Sequence, residues 1–103
     1  MKIVVGTLPE AVQELLNLLG PSTAPGTLIA AAIYLENLHS LFHEHSGHLP
    51  GAREERAPDQ GRWWWRYTNG VWVLYRVTDS RRWFRRPVRT VTIVGFEPAL
   101  PVA

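Results

Sequence analysis

The chain of 103 residues contains no cysteine, so disulfides and thiolate metal sites are excluded and an intracellular location is favoured. Lysine is almost absent too: all but one of the basic residues are arginine. Long hydrophobic runs are missing. The longest, Leu28 to Leu35, is far too short to cross a bilayer, so no membrane partner is expected. Met1 to Gly6 lacks the charged region and apolar core of a signal peptide. No GxSxG and no Walker loop occurs, and the HExxH pattern fails because Glu44 is followed by His45, Ser46 and Gly47. Acidic residues are scarce in the second half: residues 61–103 set eight arginines against Asp79 and Glu97, whereas residues 1–60 set Lys2, Arg53 and Arg56 against seven acids. That imbalance favours a polyanionic or acidic protein partner for the C-terminal half.

Hydrophobic and aromatic residues are plentiful, with 46% of the chain apolar and five tryptophans, which suits one domain with its own core. Lys2 to Gly6 reads as a short strand. Thr7-Leu8-Pro9-Glu10 has the spacing of a capping box for a helix through Leu19, ended by Gly20-Pro21. Thr27 is the expected cap of a longer helix to about His45, with Leu28, Ala31, Leu35, Leu38 and Phe42 as its buried stripe and Ser46-Gly47 as its stop. Leu49 to Gly61 reads as a polar connection. Two strands at about 62–68 and 71–78, a basic segment over 79–89, a strand over 90–96 and an irregular tail at 97–103 complete the chain. The order β-α-α-β-β-β predicts an α+β fold, a helical hairpin on one face of a mainly antiparallel sheet, with the first strand in the same sheet.

The densest signal is RWWWRYTNGVWVLYRV, residues 62–77. Asn69-Gly70 suits a two-residue type I′ hairpin turn. That turn sets Tyr67 opposite Trp72, Trp65 opposite Leu74 and Trp63 opposite Arg76. One face then carries Trp63, Trp65, Tyr67, Trp72, Leu74 and Arg76; the other carries Trp64, Arg66, Val73, Tyr75 and Val77. The Trp63, Trp65, Trp72, Leu74 and Arg76 set is the expected partner-binding surface, since Trp and Arg are common hot spots. Arg81, Arg82, Arg85, Arg86 and Arg89 around Trp83 could hold phosphates while aromatic rings stack bases, or could be a solvated edge that blocks aggregation. Glu36, His39 and His43 fall at helical spacing, but a solvated helix end explains them better than a metal site, and no metal or cofactor is expected. Catalytic roles are not specified: Arg62, Arg76 and His43 are the candidates for a metal-independent RNA cleavage centre, with arginine able to hold phosphate but a poor proton donor.

The element order, the phrase GVWVLYRVTD followed by TVTIVGF, and the segment Leu38 to Arg53 ending in LPGAR resemble the RelE/ParE superfamily of type II toxin–antitoxin toxins. The likeness runs from Lys2 to Phe96. It implies a small cytoplasmic bacterial toxin that inhibits growth, neutralised by a cognate antitoxin, with the ribosome and its mRNA or DNA gyrase as target. The family's nuclease lysines correspond to Trp63 and Trp65, its arginine after the turn to Trp72, and its basic residue after the last strand's glycine to Phe96 or Glu97. The usual C-terminal tyrosine has no counterpart. On that correspondence the cationic centre has become aromatic, which favours a target-binding mode over mRNA cleavage. The alternatives are an atypical endoribonuclease and a non-enzymatic nucleic-acid-binding module.

Overall fold

The computed structural model describes residues 1–21, 24–55, 61–81 and 86–100, without the side chain of Asn69. The expected contacts of Arg82, Trp83 and Arg85, and the end of the tail, lie outside these residues. Two helices, α1 (Pro9–Leu19) and α2 (Pro25–Glu44), pack on a five-stranded sheet built from β1 (Lys2–Thr7), β2 (Arg53–Glu54), β3 (Arg62–Arg66), β4 (Trp72–Ser80) and β5 (Val88–Glu97). The strand order is β1-β5-β4-β3-β2; β1 runs parallel to β5 and every other neighbour is antiparallel. The α+β reading therefore holds. The short β2 strand departs from expectation: Arg53 and Glu54 pair with Trp64 and Trp63 inside the segment that reads as a plain connection. Strand β5 also continues through Glu97, so the irregular tail begins at Pro98.

Both helix starts differ from the capping expected. Thr7 remains in β1, and its hydroxyl lies 3.0 Å from His39 Nε2 on α2, so it cannot cap α1. Helix α1 begins instead after Leu8 with Pro9, whose missing N–H costs nothing in a first turn. Helix α2 likewise begins after Ala24 with Pro25, two residues ahead of Thr27. Thr27 is buried and lies beside the end of α1. The stop of α2 is as expected and fully bonded. Ser46 adopts φ 55°, its N–H donates to His43 O at 3.3 Å, and Gly47 N–H donates to Phe42 O at 2.7 Å. This is a Schellman ending. Gly47 packs so closely on Arg89 that a Cβ would stand 2.9 Å from Arg89 Cδ.

The core lies between the helices and one face of the sheet. Ala11, Leu15 and Leu16 of α1 and Ala31, Leu38 and Phe42 of α2 meet Val73, Tyr75, Val91, Ile93 and Phe96. Ring pairs knit it: Phe42 and Tyr75 meet edge to face at 4.8 Å, and Tyr34 meets Tyr67 at 4.6 Å. Tyr75 Oη accepts the Leu49 N–H at 3.3 Å, fastening the segment after α2 to the sheet. A register shift between Leu74 and Tyr75 sets Leu74 opposite Gly95 but Tyr75 opposite Ile93, leaving Val94 as the extra residue of a bulge. The bulge lets Ile93 and Phe96, three positions apart, both reach a core that strict alternation would deny one of them. The expected α2 stripe is corrected at its first position: Leu28 is exposed and Thr27 occupies the buried side.

Candidate functional site

The hairpin register differs from expectation by one residue, and this relocates the site. Residues 68–70 form a single 3-10 turn rather than a two-residue type I′ turn. Tyr67 N–H donates to Val71 O at 2.7 Å, Gly70 N–H donates to Tyr67 O at 3.2 Å, and Gly70 takes φ 78°. This is a three-residue loop closed by a left-handed glycine. Tyr67 therefore faces Val71, and the pairs become Arg66 with Trp72, Trp65 with Val73, Trp64 with Leu74, Trp63 with Tyr75 and Arg62 with Arg76.

Side-chain alternation then sorts the hairpin cleanly. The helix-side face holds Trp63, Trp65, Tyr67, Val71, Val73, Tyr75 and Val77, all packed in or against the core. The outer face holds Arg62, Trp64, Arg66, Trp72, Leu74 and Arg76. Hydrophobic segregation explains the choice: the two-residue turn would have mixed arginine into both faces, whereas the three-residue loop puts every arginine of the hairpin on one. The surface expected from Trp63, Trp65, Trp72, Leu74 and Arg76 is thus split. Trp63 stacks edge to face on His48 at 4.7 Å, and Trp65 Nε1 donates to Pro50 O at 3.2 Å, both on the helix side. Trp72, Leu74 and Arg76 share the outer face with Trp64, the tryptophan that the expected register places away from them.

On the outer face the charge is nearly of one sign. Arg53 stands opposite Trp64, and Arg62 stands directly opposite Arg76. Like charges in a cross-strand pair are destabilising, so the hairpin carries a local cost here. Arg53, Arg66 and Arg76 are exposed and have no ion pair among the described residues. Arg62 Nη1 lies 3.8 Å from Glu55 Oε2, a charge contact too long for a hydrogen bond. Arg62 Nε and Glu55 Oε2 are buried with no hydrogen-bond partner among the described residues. Trp64 and Leu74, at 9% and 8% exposure, are buried together outside the main core. Trp72 is half-buried beside them, opposite Glu97.

The remaining candidates fall elsewhere. Arg89 is committed to structure: its Nε and Nη2 donate to the two Asp79 carboxylate oxygens at 2.7 and 3.0 Å, and its Nη1 donates to Ser46 O at 2.9 Å. The hydrogen bond from Arg89 holds the Asp79 carboxyl below its ordinary pKa. Arg81 and Arg86 are exposed, flanking the segment outside the described residues. His43 is exposed on α2, across the sheet from Arg62 and Arg76, so the three catalytic candidates do not converge. The same placement removes helix-borne histidines from the outer face. His39 is half-buried against β1, and desolvation, then the neighbouring His43, lower its pKa. Among the described residues no group of three His, Asp or Glu side chains has metal-binding geometry, and no helix is long and apolar enough to cross a membrane.

The chain matches no family model, no curated protein and no solved structure. The outer face must be read from its own chemistry. Four guanidiniums can bind phosphates, and the half-buried Trp72 indole can stack a planar base, whereas Trp64 and Leu74 are already buried beneath them. The guanidiniums supply positive charge, without a histidine to move a proton.

Proposed function

We propose that this protein is a growth-inhibiting toxin of the RelE/ParE type that engages RNA of the translation machinery through the outer face of its sheet, and that a cognate antitoxin masks the same face. The observation that carries the reading is the cross-strand pair Arg62–Arg76, flanked by Arg53 and Arg66. A self-repelling cluster with the exposed Arg53, Arg66 and Arg76 in it is relieved by a polyanion. The expected gathering of Trp63, Trp65 and Trp72 on one face, in place of a cationic centre, rests on a register that does not form. With Arg62, Arg66 and Arg76 on one face, a cationic centre is present, and the preference passes from gyrase to an RNA target. The role proposed is binding and charge neutralisation; cleavage would need a proton acceptor, and the nearest carboxylate is Glu55, whose Oε2 lies 3.8 Å from Arg62 Nη1.

The test is controlled expression of the wild type beside an Arg62→Ala/Arg76→Ala variant, together with binding of single-stranded RNA to both proteins across a salt series. The expected outcome is growth arrest that the double variant relieves. Its salt slope should be shallower by roughly one for each phosphate it no longer neutralises. Normal growth with soluble wild-type protein would remove the toxin reading. RNA binding that ignores both substitutions would remove the site. The half-buried Trp72 favours a protein-directed use of the face as a second reading, and binding that persists at high salt would mark it.

A further inference from the structure

A second surface lies at the other end of the molecule. Between Glu14 and Glu36 no residue is charged. These residues form the end of α1, the connection, and the first half of α2. There the two helices meet, with Thr27 Oγ1 only 3.2 Å from where a Cβ on Gly20 would stand. In the first half of α2 only Thr27 and Ala31 are buried, both on the same side. The opposite side presents Leu28, Ile29, Ala32 and Ile33, with Leu28 51%, Ile29 61% and Ile33 54% exposed. Leu18 and Leu19 of α1 add to the same end at 37% and 38%. Contiguous open patches of this kind on soluble domains mark contact sites.

Three features of the patch point to one occupant. First, it is uncharged, so a partner with charges at the contact would have to desolvate them without compensation. An anionic lipid surface is disfavoured for the same reason: the exposed arginines of the described residues belong to the sheet and its loops, not to this end of the hairpin. Second, large and small residues alternate along it, with Ile29 and Ile33 beside Ala30 and Ala32, so a ridge of one copy fits a groove of another. Third, among the described residues the positive N-terminus of α2 has no side-chain cap, and its first turn holds no acidic residue. The apolar stripe ends at the exposed Glu36. If two α2 helices pair antiparallel with Ile29 against Ile33 of the second copy, Glu36 of each falls opposite residue 26 of the other. That position is the first turn of the partner helix, where a carboxylate is stabilising.

We infer that the protein forms a two-fold dimer through the uncharged end of its helical hairpin, α2 packing antiparallel on α2 of a second copy and leaving the arginine face of each sheet free. Open patches of roughly 300–600 Å² are the largest that monomers normally leave. Two of them fall below the standard interface of about 1,600 Å², so the dimer is reversible, with a dissociation constant on the order of 1–100 μM.

The test is sedimentation velocity of the full chain over that concentration range. Wild type passes from monomer to dimer. Ile29→Glu raises the dissociation constant at least about tenfold, because two like charges are forced together near the two-fold axis. Glu36→Gln raises it by roughly two- to fivefold, through the weakened helix-end interaction. Far-UV circular dichroism checks that the exposed substitutions leave the fold intact. The absence of cysteine supplies an independent readout: an Ile29→Cys/Ile33→Cys variant cross-links to a dimer on mild oxidation, while Thr78→Cys on the outer face does not. A wild type that stays monomeric, association that Ile29→Glu leaves unchanged, or a monomer that pellets with phosphatidylcholine vesicles would each overturn the proposal. RNA binding by the Ile29→Glu variant is expected to match wild type, so failure of the dimer and failure of the RNA reading are separable.

Discussion

Three consecutive tryptophans in β3 meet two different environments. Trp63 and Trp65 lie on the helix side, held by His48 and the Pro50 carbonyl. Trp64, between them, lies on the outer side among arginines. The helix-side face of the hairpin, from Trp63 to Val77, is apolar and packs in or against the core. The outer face gathers like charge around a small apolar island. The first arrangement minimises free energy of folding. The second holds positive groups close together at a local cost, and such departures from folding logic concentrate at sites of function.

The comparison breaks most visibly through stability. Tyr75→Ala removes a fully buried ring, its edge contact with Phe42 and the acceptor for Leu49, and is expected to cost about 3–5 kcal/mol. Trp72→Ala on the outer face is expected to cost less than about 1.5 kcal/mol while weakening partner binding. Urea denaturation of the two variants decides it; equal losses would mean that the outer face is a second folding core.

Register is the next point of attack. Gly70→Ala places a side chain at φ 78°, directed at the Arg66 guanidinium, and is expected to destabilise by about 1–2 kcal/mol. A smaller loss, measured by the same denaturation, would mean that the loop relaxes to another turn at little cost.

Smaller still is the effect of the arginine pair. Arg76→Ala is expected to leave stability unchanged or raise it by a few tenths of a kcal/mol, since it relieves a like-charge cross-strand pair. A clear loss of thermal stability would show that Arg76 shields Trp64 and Leu74 more than it repels Arg62.

The mildest effect concerns pH on the helix side. His39 has a folded pKa below its ordinary value of 6.5, so the unfolded chain takes up its proton first. Its contribution to stability is complete above the unfolded pKa and is lost as pH falls from there through the folded pKa. Denaturation midpoints should therefore fall on acidification below about pH 6.5, and His39→Gln should flatten that fall. An unchanged pH profile in the variant would assign the acid sensitivity to other groups.

Legibility differs between these regions. The helices, their order, the Ser46-Gly47 stop and the α+β class follow from periodicity and from glycine and proline punctuation, which act within a few residues. The helix starts are ambiguous in the sequence because the Thr7 hydroxyl can serve either an N-cap amide or His39, and only packing selects the second. The outer site turns on one loop. Asn-Gly fits a two-residue turn locally, but the three-residue loop segregates arginine from the apolar set, a signal present in the alternation of residues 62–77. The bulge at Val94 and the β2 pairing leave no local mark.

Local pattern was enough to place helix and strand, to specify one domain, and to make its second half basic. These properties are short-range or additive along the chain. Packing chose which tryptophans are core, which arginines stand together, and that His43 is kept away from them. Strand pairing is non-local: a shift of one residue exchanges neighbours along the whole hairpin, and the burial of an entire face, rather than any single residue's preference, sets it.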